Sequence, residues 1–491
     1  MKENKKAVVV GSGIAGIASA LRLRKLGYEV DVYEKNSYLG GKLTRIQLGK
    51  YAFDAGPSLF TLPNLVTELF ELYEKNPTDY FNYQQIPTCA HYFFEDGTFL
   101  RFYADKKKLQ DEVREKLNTD PQQLVDYLDK REFIYNKTER VFLKNSLHRL
   151  KNFLHFYVLK AVISIPRLHL FQSMNKVNEK AFTHPKLVQI FNRYATYNGS
   201  NPYKAPGILT MIPHLEMTLG TYFPIKGMHA IPMSLIQLAQ EQGVRFHTNA
   251  EVQGILVENK TLQGIQVNDT QIQADVVFCN SDVKSAYSEL LPTEKKPKKA
   301  LSQEPSSSAM IFYWGIKKKF DNLDLHNLFY SDDYETEFEH IFSRKTISDD
   351  PTVYVHISSK LEFCKEDAPE YGDNWFVMVN VPHDQGQDWE TERIRIRKLI
   401  LEKLSRMLGE SIEELIEEED YLDPLRIESR TKSRYGSLYG TSSNDRMAAF
   451  FRHPNFSKTK GLYFVGGSVH PGGGIPLCLL SAKIATDDLK D

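Results

Sequence analysis

Three glycines near the start of the chain have the spacing of a phosphate-binding turn. Gly11, Gly13 and Gly16 form the pattern G-x-G-x-x-G directly after a short apolar run. The first glycine permits a tight turn, the second lets the backbone approach a pyrophosphate, and the third lets a helix pack closely on a strand. The free N–H groups at the start of that helix then face the phosphates. We therefore predict a dinucleotide site here, with Ser12 and Ala15 in the same turn.

An acidic residue follows the glycines at a suitable distance. Glu34 ends a second predicted strand, about 20 residues after the turn, where a carboxylate accepts hydrogen bonds from a ribose. Lys35 lies beside it in the sequence. The predicted strand, turn, helix, strand and carboxylate occur in the right order, which favours dinucleotide binding over an ordinary glycine turn. The motif alone does not separate NAD from FAD.

Further glycine-rich motifs favour FAD. They are Gly41, Lys42 and Leu43 after the second strand, Gly56, Pro57 and Ser58 at the end of FDAGPS, and Gly466 and Gly467 at the end of GLYFVGG. Glycines that follow the last of these strands would let the backbone approach the ribityl chain or the flavin ring.

Taken together, these motifs resemble those of the phytoene desaturase family of carotenoid desaturases, whose wider relatives are flavin amine oxidases and protoporphyrinogen oxidase. The resemblance extends over nearly the whole chain and includes YNGSNP at 197–202, ADVVFCNSD at 274–282 and HPGGGIP at 470–476. The last segment is the most specific, because the amine oxidases and protoporphyrinogen oxidase differ there. The resemblance completes the set of expected FAD-binding residues with Val252, Asn280, Gly474, Ile475 and Pro476.

The resemblance implies both a fold and an activity. The expected fold is α/β, a Rossmann-like FAD-binding domain of the glutathione reductase and amine oxidase type, assembled from discontinuous segments, with a substrate lobe of mixed sheet and helices. The expected reaction is FAD-dependent desaturation of an acyclic carotenoid. A hydride goes to flavin N5, a proton is lost, and oxygen or a quinone reoxidises the flavin. FAD is expected to bind non-covalently.

The resemblance leaves several substrates and functions open. The chain resembles 1-hydroxycarotenoid 3,4-desaturases as much as phytoene desaturases that make lycopene or neurosporene, and we favour a hydroxylated acyclic carotenoid desaturated at C3–C4. A carotenoid cis-trans isomerase, which uses reduced flavin without net oxidation, is an alternative. A prenyl-protein escort protein would share the fold without a flavin, but the intact motifs at Gly41–Lys42 and Gly466–Gly467 argue against it.

No general base is assigned from the sequence. His470 and Asp54 lie in flavin-adjacent motifs. The simpler interpretation of His470 is a turn residue that orients the glycine loop. The simpler interpretation of Asp54 is a hydrogen bond to backbone that holds the turn from Asp54 to Gly56. His214 and Glu216 lie near the Pro224 segment, where they are candidates to face the substrate, but the simpler interpretation is that they are ordinary surface groups. Lys226 replaces a glycine of the family pattern, which leaves the exact substrate open.

Composition argues against other classes of function. The net charge of −1 gives no reason to expect a nucleic-acid partner. The four cysteines are far apart and form no C-x-x-C pair, so neither a disulfide framework nor a metal site is expected. Free cysteines favour a cytoplasmic location. A length of 491 residues exceeds the usual range of a single core, which predicts two lobes.

The motifs divide between two discontinuous lobes. Because strands with glycine turns occur at the start, middle and end of the chain, we assign residues 1–75, 226–290 and 436–491 to the FAD-binding domain. The substrate-binding lobe is assigned to residues 76–225 and 291–435. The stretch from about 60 to 220 is expected to be mostly helical. Many aromatic residues of the substrate lobe suit the walls of a polyene site, although a plain aromatic core is the simpler interpretation for any single one. The six candidates are Phe191, Tyr194, Tyr197, Tyr203, Tyr222 and Phe223.

One segment of the substrate lobe has the character of a membrane-contacting helix. Residues 140–178 contain no Asp or Glu but several Lys and Arg, mixed with Leu, Phe, Val and Ile. Basic amphipathic helices of this kind bind anionic bilayer surfaces, where a carotenoid dissolves. We expect peripheral association with the membrane surface, and Arg149, Lys151 and Lys160 are the basic residues expected to face lipid. A buried helix with a basic edge is the alternative.

Overall fold

The structure is a computed structural model that describes residues 5–490, without the side chains at positions 150, 151, 157 and 159. Its strands, in chain order, are β1 (Lys6–Val10), β2 (Glu29–Tyr33), β3 (Arg45–Leu48), β4 (Tyr51–Asp54), β5 (Tyr83–Gln85), β6 (Thr88–Phe93), β7 (Phe99–Tyr103), β8 (Tyr222–Pro224), β9 (Arg245–His247), β10 (Val252–Glu258), β11 (Thr261–Val267), β12 (Thr270–Gln273), β13 (Val276–Cys279), β14 (Ser308–Ile316), β15 (His326–Phe329), β16 (Val353–His356), β17 (Asp373–Val381), β18 (Ile416–Leu422) and β19 (Leu462–Phe464).

The α-helices, in chain order, are α1 (Ile14–Lys25), α2 (Asn64–Glu71), α3 (Lys106–Leu117), α4 (Gln122–Thr138), α5 (Phe156–Ile163), α6 (Met174–Ala181), α7 (Pro185–Asn192), α8 (Ile212–Met217), α9 (Ala230–Glu241), α10 (Val283–Ser285), α11 (Lys298–Leu301), α12 (Tyr334–Glu339), α13 (Trp389–Leu408), α14 (Pro424–Thr431), α15 (Ala448–Phe451) and α16 (Ile475–Lys490).

A parallel five-stranded sheet with the order β19-β13-β1-β2-β9 forms the first lobe. Side chains alternate across a strand, so β1 contributes to two cores. Ala7 and Val9 face a core that includes α1, α9 and α16. Val8 and Val10 face the antiparallel meander β10-β11-β12. Both faces of the sheet are therefore covered, as a parallel sheet requires.

A seven-stranded sheet with the order β18-β14-β17-β16-β15-β6-β7 forms the second lobe. Its strands pair antiparallel except for the parallel contact between β15 and β6. One face packs against α13 through residues such as Ile396 and Leu404. The opposite face carries Tyr313, Tyr354 and Phe376 towards the helices of the lobe. This combination of lobes confirms the α/β fold with a mixed second lobe.

One part of the second sheet differs from the sequence expectation. β6 and β7 lie within the stretch expected to be mostly helical. They form a hairpin because β-branched and aromatic residues flank the turn at Asp96 and Gly97, where Gly97 has φ +83°. The acidic segment 416–422 is the edge strand β18. Its alternating burial lets carboxylates point outward, and Glu419 pairs with Arg397.

Candidate active site

The glycine turn after β1 closes tightly around a helix start. A side chain at Gly16 would place its Cβ 2.2 Å from the Gly11 carbonyl oxygen, so only glycine fits. The Gly16 N–H donates to Oδ1 of Asn280 at 2.6 Å, and the Asn280 N–H donates to the Val10 carbonyl at 2.8 Å. Asn280 follows β13, the neighbour of β1 in the sheet. The predicted residues at positions 11–16 and 280 therefore form one structural unit.

Glu34 links the end of β2 to this turn. One carboxylate oxygen accepts hydrogen bonds from the Ser12 N–H at 2.9 Å and the Ser12 hydroxyl at 2.8 Å. The other accepts from the backbone and side-chain N–H groups of Asn36, both at 2.9 Å. Glu34 also lines the large cavity of the molecule. Lys35 lies beside it, where burial and the nearby Lys432 ammonium lower its pKa.

The two motifs that follow β2 pack on each other. A Cβ at Gly56 would lie 2.0 Å from the Lys42 carbonyl oxygen, so this contact also requires glycine. The Lys42 ammonium donates to the Leu438 carbonyl at 2.8 Å, and burial lowers the pKa of Lys42. Tyr439, next to Leu438, packs its ring against Gly473. These contacts bring an N-terminal motif and the C-terminal segment to one wall.

The C-terminal motif completes the wall. The Gly466 N–H donates to the Ser481 hydroxyl on α16 at 3.1 Å. Gly467 packs against the backbone of Gly473, and Gly474 opens towards the cavity with no atom near the place of a Cβ. Ile475 begins α16 at the same edge.

A single cavity of about 660 Å³ collects most of the predicted cofactor-binding residues. Those in its wall are Gly11, Gly13, Ala15, Glu34, Lys35, Gly41, Lys42, Leu43, Gly56, Pro57, Ser58, Val252, Asn280, Gly467, Gly474, Ile475 and Pro476. Ser12, Gly16 and Gly466 do not line the cavity. They lie behind the wall and hold it in place through the bonds described above. Tyr439 and Asp282 also line it, although sequence reasoning did not single them out.

The same cavity continues into an apolar chamber in the second lobe. Its walls there include Ile311, Leu328, Phe376 and Met378 on the sheet. Helical residues enclose the other side: Tyr135, Phe142, Leu143, Leu170, Ile208, Met211, Ile212 and Leu215. Of six aromatic residues considered for such a wall, Phe191, Tyr194, Tyr197, Tyr203, Tyr222 and Phe223, Tyr197 alone lines this cavity. Phe191, Tyr194 and Phe223 belong to plain apolar cores.

The four polar candidates have distinct environments. Asp54 accepts hydrogen bonds from the N–H groups of Met228 and His229 at 2.8 and 3.0 Å. It therefore binds backbone, but that of a segment far along the chain and not, as had been expected, that of its own turn. Burial raises the pKa of Asp54 to about 6. His470 lies in the cavity wall 2.9 Å from the Asn145 carbonyl, and burial lowers its pKa to about 3.

His214 and Glu216 are not the surface groups that were expected. Both are buried, and α8 packs against α4 and the turn at 207–211. Glu216 lines the cavity and accepts a hydrogen bond from the Tyr194 hydroxyl at 2.8 Å and another from the Tyr197 hydroxyl. Arg193 forms an ion pair with the same carboxylate at 3.4 Å. A short helix rich in apolar residues was the signal that could have indicated burial.

Two further properties of residues 5–490 bear on function. No group of three or more His, Cys, Asp or Glu side chains in this range is arranged to hold a metal ion. No helix within the described residues is long and apolar enough to cross a membrane.

Comparison with known proteins identifies relatives along the whole chain. The family model of flavin containing amine oxidoreductases matches residues 14–490. A 1-hydroxycarotenoid 3,4-desaturase of Flavobacterium sp. (strain P99-3) is 51% identical over 484 residues, with 98% of each chain covered. The 4,4'-diaponeurosporene oxygenase of Staphylococcus aureus (strain MSSA476) is 31% identical, with 99% of this chain and 98% of the relative covered. Among solved structures, an oxidoreductase from Methanosarcina mazei superposes with a TM-score of 0.60 at 17% identity, covering 99% of this chain and all of that one.

The Rossmann-type sheet, the glycine turn and the attached cavity define an FAD-binding oxidoreductase of the α/β class. The chain belongs to the flavin-containing amine oxidoreductase family. The predicted resemblance to the carotenoid desaturases is confirmed by the relatives that the chain matches.

Proposed function

We propose that this protein desaturates an acyclic carotenoid with non-covalently bound FAD. The observation that carries the proposal is the continuous cavity, which joins the glycine motifs of the first lobe to an apolar chamber of the second. A polyene hydrocarbon is the kind of substrate such a chamber accepts. The 51% identity to a 1-hydroxycarotenoid 3,4-desaturase supports the same reaction class.

The residues present fit FAD. Glu34 would hold the ribose, and the turn from Gly11 to Gly16 with the start of α1 would hold the pyrophosphate. Lys42, Gly56 and the loop before α16 would surround the flavin end. Of the described cysteines, Cys478 lines this cavity, and burial raises the pKa of its thiol to about 11, which disfavours the thiolate needed for a covalent link.

The chain's own contribution to the reaction is alignment and exclusion of water. When bound, FAD supplies a hydride acceptor at flavin N5, and oxygen or a quinone removes the two electrons. The substrate loses one hydrogen as that hydride and one as a proton, and the two carbons become a double bond. Ile311, Leu328 and Met378 line the chamber beside the flavin-end wall, so the polyene would lie against apolar surface with its reacting bond fixed. No residue is assigned as the base.

Within this class we favour a hydroxylated acyclic carotenoid desaturated at C3–C4. The alternatives are a phytoene desaturase that makes lycopene or neurosporene, and a cis-trans isomerase. A prenyl-protein escort function is disfavoured because the flavin motifs form one connected wall.

We also propose that residues 140–178 dock the protein peripherally on a membrane. The segment carries exposed apolar side chains, with Leu154 88%, Phe171 72% and Ile163 71% exposed. Phe142 and Leu170 of the same segment line the cavity, so lipid-dissolved substrate would enter here. Arg149 was expected to face lipid. Its guanidinium forms an ion pair with Asp488 at 2.6 Å and lies over the ring of Phe456, so its charge is already partnered. The Lys151 side chain lies outside the described residues.

The division into lobes stays a proposal with the same boundaries. The five strands of the parallel sheet fall within 1–75, 226–290 and 436–491, and the seven strands of the second sheet fall within 76–225 and 291–435. We therefore propose the first set as the FAD-binding domain and the second as the substrate-binding lobe.

The test is expression in cells that accumulate defined carotenoids, followed by pigment analysis and a flavin absorbance spectrum of the purified protein. We expect a product with one more double bond, and none from Gly13→Val, in which a side chain occupies the pyrophosphate site. A product of unchanged mass would indicate isomerisation. A colourless wild-type protein that binds prenylated chains would favour the escort function.

A further inference from the structure

A chain of three polar side chains interrupts the apolar wall of the cavity. The Ser58 hydroxyl lies 2.7 Å from the Tyr354 hydroxyl, which lies 2.8 Å from Nδ1 of His326. Ser58 and Tyr354 line the cavity, while His326 is buried behind them. Tyr354 faces the cavity because it alternates along β16 with Val353 and Val355, which pack on the opposite face of the sheet.

These hydrogen bonds leave the Ser58 hydroxyl free to form one more as a donor or an acceptor. Burial lowers the pKa of His326 well below its usual range, so the imidazole is neutral and carries one N–H. If Nδ1 carries the proton, Tyr354 donates to Ser58, and the Ser58 hydroxyl proton points elsewhere. If Nδ1 accepts, Tyr354 donates to it, Ser58 donates to Tyr354, and Ser58 oxygen lone pairs remain. An alcohol satisfies either arrangement because it both donates and accepts.

The position of the chain limits which part of a substrate it can reach. Ser58 directly follows Gly56 and Pro57, which pack on Lys42 at the wall that would surround the flavin. The neighbouring Tyr439 packs on Gly473 in the same wall. In an acyclic carotenoid with a hydroxyl on C1, only C2 separates that carbon from the C3–C4 bond. A group that holds the hydroxyl therefore has to lie close to the wall that would surround the flavin, and Ser58 is part of that wall.

The other buried polar cluster of the chamber is less suited to this role. Each carboxylate oxygen of Glu216 already accepts a tyrosine hydroxyl, from Tyr194 and from Tyr197. Arg193 is held between this carboxylate and the Tyr92 hydroxyl. The bonds of this cluster are therefore internal and join Arg193, Tyr194 and Tyr197 to Glu216 on α8. The Ser58 hydroxyl, in contrast, can form a further hydrogen bond to a ligand.

We propose that Ser58, Tyr354 and His326 form the binding site for the tertiary hydroxyl at C1 of an acyclic carotenoid. Ser58 contacts the hydroxyl, and Tyr354 and His326 are positioning residues that fix the direction of the Ser58 O–H. This inference rests on the proposed function and deepens it, because it makes the hydroxyl the feature by which the substrate is aligned for reaction at C3–C4. The Ser58 backbone remains in the cofactor motif as predicted, while its side chain serves the substrate.

The test compares two substrates in liposomes: an acyclic 1-hydroxycarotenoid and the hydrocarbon with the same carbon skeleton. Wild-type protein should desaturate the hydroxylated substrate with a kcat/KM at least about tenfold higher, because a site built to bind a hydroxyl discriminates strongly against its absence. Tyr354→Phe removes one oxygen and should reduce this ratio towards one. The loss should fall on the hydroxylated substrate, with flavin content and activity on the hydrocarbon retained.

Tyr330→Phe is the matched control. Tyr330 is a fully buried tyrosine just after β15, and its hydroxyl has no hydrogen-bond partner within residues 5–490. Its removal should leave the substrate ratio unchanged. Ser58→Ala is the second test variant and should reduce the ratio as Tyr354→Phe does.

The outcomes separate this inference from the proposed function. An equal loss of kcat/KM on both substrates in Tyr354→Phe would mean that the hydrogen bonds of Ser58, Tyr354 and His326 are only structural, and would overturn the inference. A wild-type protein that desaturates both substrates equally well would overturn it too, while the carotenoid desaturase function would stand. If the wild-type protein binds flavin but desaturates neither substrate, both this inference and the proposed function are wrong.

Discussion

Glu34 has two roles at the scale of the single residue. Its carboxylate holds the glycine turn through Ser12 and also faces the cavity where a ribose would lie. Lys226 is a contrasting case. It has φ +76°, in the left-handed region that glycine occupies without strain, and it is followed by Gly227 at φ +85°. Lys226 therefore places a side chain at a backbone position of the kind that favours glycine.

We predict that Glu34→Ala weakens FAD binding by about 10- to 100-fold. A hydrogen bond to a charged group contributes roughly 1.5–3 kcal/mol, and the Ser12 N–H would lose its acceptor as well. The measurement is a titration of apoprotein with FAD. Asp31→Ala is the control, because Asp31 lies on the same strand but pairs with Arg245 and does not line the cavity. If both variants bound FAD equally weakly, the loss would reflect the stability of strand β2 and not a bond from Glu34 to the ribose.

At the scale of the element, the segment 140–178 combines features that a buried helix would not show. α5 and the turns around it expose several large apolar side chains, yet residues of the same segment reach the cavity wall. Lys160, Arg167 and Lys176 are exposed. The segment thus presents exposed apolar and basic groups, and some of its residues line the chamber. Exposed apolar and basic groups together are typical of interfacial helices.

We predict that reversing the charges of Lys160, Arg167 and Lys176 to Glu releases the protein from anionic liposomes. Each basic residue near such a surface contributes about 1 kcal/mol, so partitioning should fall by more than about 100-fold, and added salt should weaken wild-type binding. The readout is liposome co-sedimentation, together with turnover of liposomal carotenoid at unchanged flavin content.

The control for charge alone is the triple reversal of Lys107, Lys116 and Lys319, which are exposed but lie outside the segment. It should retain binding. Liposome binding that is independent of salt and unaltered by the first triple variant would place the docking surface elsewhere.

At the scale of the whole molecule, several ionisable groups are buried between and within the lobes. Burial lowers the pKa of His356 to about 3 and that of His453 to about 4. Such groups bind protons in the unfolded chain below about pH 6.5 but not in the folded one. They favour unfolding as the pH falls. Burial raises the pKa of Asp54 to about 6 and that of Glu337 to about 7, which acts in the opposite direction.

We predict that His356→Phe reduces the loss of stability on acidification. Between pH 7 and pH 5 the wild-type protein should lose about 2 kcal/mol more free energy of unfolding than the variant, since one proton contributes about 1.4 kcal/mol per pH unit. The His356 imidazole contacts the rings of Phe223 and Phe376, so a phenylalanine ring suits this position. Nε2 of His356 has no partner among the described residues, so the substitution breaks no hydrogen bond of that atom. Urea unfolding at both pH values measures the difference, and parallel pH dependences would contradict the prediction.

The sequence by itself determined the first lobe and its cofactor motifs. Gly16 and Gly56 could be recognised because a backbone contact excludes every larger side chain, which fixes both residue type and spacing. The β-branched run of β1 and the glycine turn after it are local features, so the residues of one short segment are enough to predict them. These local features indicated a dinucleotide, and the later glycine motifs with the family resemblance indicated FAD.

Only the tertiary structure decided how the distant parts meet. The Ser58–Tyr354 hydrogen bond joins residues 296 positions apart, and nothing in either local sequence indicates it. The burial of Glu216 and the pairing of Arg149 with Asp488 likewise depend on packing between segments far apart in sequence. A residue's type indicates the chemistry that its side chain can perform. Which partner that side chain meets depends on which elements pack together, and that is decided by the fold.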